Sequence, residues 1–239
     1  MTAPALRFAR RRLYLMRHGR VDYFSDQVLA AKDHRIATLT PEGRRQALAA
    51  GDALAGIVFD VALSSGLPRT QETAELVLSR IPNPPDLQQD PAFEELRGGT
   101  LRFPSREVAA QAMHAQFLKA NLPGARMFGG EAFYEAQARA VAALHALCTG
   151  PVWRNALVVA HEGINRLILS WACGAGLAAA PAFEQDTACV NVLDFDIEPD
   201  DDGRPRVDRV IVKIINVTPY NWLKQGMSRT SLEAIFADD

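Results

Sequence analysis

Apolar residues in this chain fall into short runs that alternate with segments of helical spacing. Leu13 to Met16 predicts a buried strand, while residues 18 to 40 keep no sustained period and predict a long loop. Thr40-Pro41-Glu42-Gly43 is a helix start: Thr caps, Pro takes the first helical position and Glu42 faces the positive end of the dipole. Ala47, Leu48, Gly51, Leu54 and Ala55 give that helix one apolar face. Phe59 to Leu63 predicts a second buried strand ending in Ser64-Ser65. A helix over Leu67 to Leu78 and a loop over Pro82 to Pro91 follow. Glu107 to Leu118 is helix-permissive, and Glu131 to Leu147 is an alanine-rich helix. Ala156 to Ala160 predicts a third buried strand, with a helix from about Gly163 to Cys173 behind it. Val190 to Ile197 and Val207 to Ile215 are β-rich runs around the turn Asp200-Asp201-Asp202-Gly203.

Strands alternating with helices imply an α/β fold. The expectation is a three-layer α/β/α sandwich with a mostly parallel central sheet, a late antiparallel hairpin and a helical lid insertion at about 96–130. Residues 1–12, carrying Arg7, Arg10, Arg11 and Arg12, read as a basic, disordered lead-in, and 13–239 as a single domain.

Composition narrows the function. The chain has 239 residues, 48% of them hydrophobic, enough for a sizeable core. A formal net charge of −2 gives no global pull toward nucleic acid or membrane. No apolar run reaches membrane-spanning length, and no cleavable leader is evident. Cys148, Cys173 and Cys189 fit neither a disulfide framework nor a zinc site, so a reducing, cytoplasmic setting is expected. Any anion site must therefore carry its own local positive charge.

Polar residues suited to one phosphate stand at three strand ends. The first strand delivers Arg17-His18-Gly19, the second Ser64-Ser65 and then Arg69, and the third His161-Glu162-Gly163. Parallel neighbours would bring them together at the carboxyl edge of the sheet. Helix N-termini near Gly66 and Glu162 would add backbone N–H donors for an anion. Gly19 would let the backbone approach the ligand. Two Arg and two His around one point are costly unless a ligand's negative charge compensates.

These residues resemble the histidine phosphatase superfamily, in its phosphoglycerate mutase-like branch. The matching pieces are Leu15-Met16-Arg17-His18-Gly19, Leu39-Thr40-Pro41-Glu42-Gly43, Ser64-Ser65-Gly66-Leu67-Pro68-Arg69 with Glu72-Thr73-Ala74, and Val158-Val159-Ala160-His161-Glu162-Gly163. The resemblance implies metal-independent hydrolysis of a phosphate monoester, without a cofactor. His18 would be the nucleophile that becomes a phosphohistidine, with Arg17, Arg69 and His161 holding the phosphate oxygens. The family's acid is a Glu in a Leu-x-Glu segment. Phe93-Glu94-Glu95-Leu96-Arg97-Gly98-Gly99 occupies that place, giving Glu95 the role and Glu94 the fallback. The alternatives are a mutase, which returns the phosphoryl group to a hydroxyl, and a non-catalytic phospho-ligand binding protein.

The chain departs from the family pattern just past the tripeptide. Many members continue with Glu-Thr or Glu-Ser and then Asn, whereas this chain has Arg20-Val21-Asp22-Tyr23-Phe24. That change favours hydrolysis over the mutase and makes Arg20 and Tyr23 entrance residues, with Glu162 as a further substrate contact. Arg102, Phe103, Lys119, Arg126 and Phe128 are lid candidates. His34, His114 and His145, and Trp153, Trp171 and Trp222, are read as structural. The expected partner is a small phosphorylated metabolite or a phosphoprotein, with oligomeric state left open.

Overall fold

In the computed structural model, which describes residues 9–99 and 106–236, the first apolar run is a strand, β1 (Ala9–Arg17), buried on both faces. Leu13 and Leu15 point into one core layer and Met16 into the other. The third predicted strand behaves alike: in β4 (Asn155–Ala160), Ala156, Val158 and Ala160 join the first layer, and Leu157 and Val159 the second. A strand covered by helices on both sides shows a continuous apolar run rather than an alternating one.

The remaining strands are β2 (Val61–Ser64), β3 (Leu87–Gln89), β5 (Val190–Pro199) and β6 (Pro205–Val217). The sheet order is β3-β2-β4-β1-β5-β6. The four strands from β3 to β1 are parallel; β5 and β6 form the late antiparallel hairpin beside β1. The helices are α1 (Asp26–Ala31), α2 (Pro41–Leu54), α3 (Pro68–Leu78), α4 (Arg106–Leu118), α5 (Phe133–Thr149), α6 (Glu162–Ala172) and α7 (Ser231–Phe236). Ala50 and Leu54 of α2 and Ala74, Val77 and Leu78 of α3 cover one face of the sheet. Ala136, Ala140 and Leu144 of α5 and Ile164, Leu167 and Ile168 of α6 cover the other. The three-layer α/β/α arrangement follows from these two helix pairs. The chain thus leaves β1 toward one face and β4 toward the other, and this divergence opens a crevice at their carboxyl ends.

Several expectations need correction. Residues 9–12 are strand, not lead-in, and residues 1–8 lie outside the described part. Arg12 stands directly across from Asp194 of β5 and Arg10 from Asp196, with Nε to Oδ1 distances of 2.7 and 2.8 Å. Arg11, on the opposite face, is buried and donates to the carbonyls of Leu147, Gly150 and Pro151. The predicted loop at 18–40 contains α1 and a 3₁₀ turn at His34–Ile36, while the loop at 82–91 contains the edge strand β3. Both elements are too short to show a period. Trp222 is exposed, whereas Trp153 and Trp171 pack as expected.

Candidate active site

Register brings the three strand ends level. Arg17 pairs with Ala160, and Ser64 with Val159. The His18 amide donates to the Ala160 carbonyl at 3.1 Å, and the Ser65 amide to that of Val159 at 3.2 Å. The residues that leave these strands, His18, His161 and Ser65, therefore meet in one crevice. The two imidazole centroids are 5.3 Å apart.

His18 is buried, with Nδ1 2.8 Å from the Gly19 carbonyl oxygen. A carbonyl only accepts, so Nδ1 carries the proton and Nε2 of the neutral ring has the lone pair. Burial pushes the His18 pKa well below its ordinary value, and the Arg69 and Arg17 cations push it the same way. His161 is depressed by burial, by Arg69, by His18 and by Arg17. Its Nε2 lies 2.8 Å from Ser65 Oγ, which is 2.9 Å from Thr70 Oγ1; Thr70 donates its own proton to the Leu67 carbonyl.

Arg17 and Arg69 are both only 2% exposed. Arg17 Nη1 donates to the Gln185 carbonyl at 2.6 Å and lies 3.0 Å from Glu162 Oε2. Arg69 Nη1 reaches the His34 and Arg35 carbonyls at 3.4 Å, and its guanidinium sits 5.7 Å from the centre of the Tyr23 ring. Arg17 Nε, Arg69 Nε and His161 Nδ1 are buried without a hydrogen-bond partner among the described residues. Buried polar atoms are normally satisfied, so these three, on neighbouring cationic or imidazole groups, suit the oxygens of an anion.

Glu95 is held at this crevice from the far side. Its Oε2 accepts from the Gly163 amide at 3.0 Å, and its Oε1 from Ile164 at 3.1 Å and Leu96 at 3.0 Å. Two of these amides open α6, so this helix end is closed by a side chain and is not open to phosphate as expected. At α3 the Gly66 and Leu67 amides turn to the Ser64 and Ser65 hydroxyls. Glu94 points elsewhere, into a two-bond pairing with Arg35 at 3.1 Å. Glu162 is buried; Arg166 and Ser231 donate to its Oε1, and Arg17 is its other neighbour.

Two cavities open from His18 and Arg17. The larger, about 840 Å³, is bordered by Arg20, Asp22, Tyr23, Asp186 and Arg229. The smaller, about 400 Å³, is bordered by Arg69, Glu95, Tyr23 and Phe128. The Tyr23 hydroxyl lies 3.5 Å from His18 Nε2, and Arg20 borders the larger cavity. Of the lid candidates, Phe128 lines the smaller cavity, Lys119 and Arg126 line neither, and Arg102 and Phe103 lie outside the described residues. His34 was missed: it borders the smaller cavity, brought there by a turn with no sequence period. Gly19 serves a different purpose from the one expected. A Cβ there would overlap the Gly43 carbonyl at the start of α2, so the close approach is to a helix end and not to a ligand. Among the described residues, no three His, Cys, Asp or Glu side chains gather as a metal would require.

The fold and this crevice are those of the histidine phosphatase superfamily. The profile of the histidine phosphatase superfamily (branch 1) matches residues 13–209, and the chain belongs to that family. It is 29% identical over 186 residues to the adenosylcobalamin/alpha-ribazole phosphatase of Escherichia coli, covering 77% of this chain and 90% of that one. It is 28% identical over 214 residues to the 2-carboxy-D-arabinitol-1-phosphatase of Triticum aestivum, covering 87% of this chain but 41% of the relative. It is 36% identical over 107 residues to a 2,3-bisphosphoglycerate-dependent phosphoglycerate mutase of Bartonella bacilliformis, covering 43% of this chain and 50% of that one. The fold matches a crystal structure of a putative alpha-ribazole-5'-P phosphatase from Escherichia coli, with TM-score 0.62 and 24% identity over 87% of this chain and 97% of that chain. It also matches a mycobacterial glucosyl-3-phosphoglycerate phosphatase, with TM-score 0.66 and 22% identity over 87% and 99%. Among the described residues no helix is long and apolar enough to cross a membrane.

Proposed function

We propose that this chain hydrolyses phosphate monoesters through a phosphohistidine on His18. The observation that carries the reading is the His18 ring itself: Nδ1–H is fixed on the Gly19 carbonyl, and the Nε2 lone pair stands beside two buried arginines. Nε2 attacks phosphorus, and the P–O ester bond breaks. The departing oxygen takes a proton from Glu95, which borders the same cavity as His18. Glu95 then takes a proton from water, whose oxygen attacks phosphorus and breaks the P–N bond. Phosphate leaves and His18 returns to its neutral form.

Arg17 and Arg69 hold the equatorial oxygens with the donors that the protein leaves unused. Thr70 gives its proton to the Leu67 carbonyl, so Ser65 donates to Thr70 and His161 Nε2–H to Ser65; His161 Nδ1 donates to a phosphate oxygen once the bound anion's charge draws a proton onto the ring. Glu94, committed to Arg35, takes no part. The departure of Arg20 to Phe24 from the family's usual continuation favours hydrolysis over return of the phosphoryl group to a hydroxyl. The test is steady-state release of inorganic phosphate from 4-nitrophenyl phosphate with chelator present. Turnover in the wild type and its loss by at least about 10³-fold in His18→Ala support the reading. Phosphoglycerate isomerisation faster than phosphate release would replace it with the mutase, and phospho-ligand binding without turnover would replace it with the binding protein.

A further inference from the structure

The two cavities that meet at His18 differ in chemistry, and their difference bears on the substrate. In-line attack sends the leaving oxygen away from His18 Nε2, toward the group that protonates it. Glu95 borders the smaller cavity and not the larger one. The organic part of the ester must therefore lie in the smaller cavity, whatever its identity. Apart from the reacting groups and the polar side chains Tyr23, His34 and Glu162, this cavity is walled chiefly by Leu96, Met113, Phe117, Met127, Phe128 and Ile235. They come from the loop after Glu95, from α4, from the turn at Met127–Gly129 and from α7. Leu96, Phe117 and Met127 are buried in the core layer against α5 and α6, which keeps this wall in place.

We infer that the substrate is a phosphate monoester of an apolar alcohol or phenol, with its carbon skeleton in this 400 Å³ cavity. The inference rests on the hydrolase reading and adds to it the class of leaving group. A polyhydroxylated leaving group, such as a sugar or glycerate, would lose water there and, beyond the groups that hold phosphate, would find chiefly Tyr23 and His34 as replacement partners among the described side chains. The larger cavity, bordered by Arg20, Asp22, Asp186 and Arg229, has the polar lining that such a group would need, but it lacks the acid. A volume of this size is at the small end of ligand pockets, so the skeleton is compact.

The test is a series of linear primary alkyl phosphates from ethyl to hexyl, whose leaving alcohols are nearly equal in basicity. Glycerol 3-phosphate serves as the polar comparator and 4-nitrophenyl phosphate as the reference. Each buried methylene should raise kcat/KM by about three- to fourfold until the cavity is full. Butyl phosphate should exceed glycerol 3-phosphate, and Met113→Gln should lower the hexyl-to-ethyl ratio of kcat/KM at least threefold. A flat or falling series, a preferred glycerol 3-phosphate, or an unchanged ratio in Met113→Gln overturns this inference while 4-nitrophenyl phosphate is still hydrolysed. If 4-nitrophenyl phosphate is also inert, the hydrolase reading falls and takes the inference with it.

Discussion

The Gly163 amide donates to Glu95 Oε2 at 3.0 Å, and a Cβ on Gly163 would lie 2.5 Å from Glu95 Oε1. The same glycine thus holds the carboxylate and leaves room for it. Gly163→Ala should push Glu95 out of register while leaving His18 and the arginines in place. The expected result is a fall in kcat of about 10- to 100-fold for alkyl phosphates, part of what general acid catalysis supplies. Affinity for inorganic phosphate, read as a competitive inhibition constant, should change less than threefold. An unchanged kcat would separate Glu95 from the chemistry.

Glu95 is also a helix cap, so its removal has two consequences. Glu95→Gln places an amide nitrogen against one of the three backbone donors it now accepts from. The variant should lose about 1–3 kcal/mol in urea unfolding as well as activity. Glu94→Gln should affect activity far less than Glu95→Gln, because Glu94 pairs with Arg35 and Arg97 and borders neither cavity. The reverse order of activity losses would move the acid by one residue.

Buried neutral imidazoles make stability depend on pH. The folded-state pKa values of His18 and His161 lie well below the ordinary value near 6.5 that each has unfolded. Below about pH 6.5 the unfolded chain binds protons that the folded chain does not, so stability is fully present above that pH and falls as pH drops. Each group contributes at most about 1.4 kcal/mol per pH unit to the slope. Urea unfolding between pH 4.5 and 7 should show this fall, with a shallower slope in His18→Gln. An identical slope in the variant would mean that His18 is already charged in the fold.

Strand β1 gives a test that is independent of activity. Arg11 is buried, donates to three carbonyls at the end of α5 and lies 5.3 Å from the centre of the Trp153 ring. Arg11→Ala should cost about 3 kcal/mol, since it leaves buried carbonyls without donors. A loss below about 0.5 kcal/mol would return residues 9–12 to the status of a lead-in.

How much of this is readable in the sequence depends on the distance over which each feature is determined. A residue that follows a doubly buried strand must emerge at its carboxyl end, so Arg17-His18 and His161 are legible from local pattern. The Thr40 cap is local too, and its hydroxyl accepts from the Gly43 amide as its motif predicts. By contrast, Arg12 is a strand residue because Asp194 sits across from it, 182 positions away. The clasp of Glu95 on α6 likewise joins residues 68 positions apart. His34 reaches the smaller cavity through a single 3₁₀ turn, and β3 is three residues long at a sheet edge. Neither feature is large enough to leave a periodic trace.

Covalent chemistry at His18 is the step on which everything else in this site turns. The decisive measurement is rapid mixing with substrate, alkaline quench to preserve the acid-labile P–N bond, and peptide mass spectrometry of the phosphorylated site. Phosphate on His18, formed and discharged at least as fast as kcat, is the expected result. Turnover with no phosphorylated His18, or with the phosphoryl group on another residue, would contradict the account.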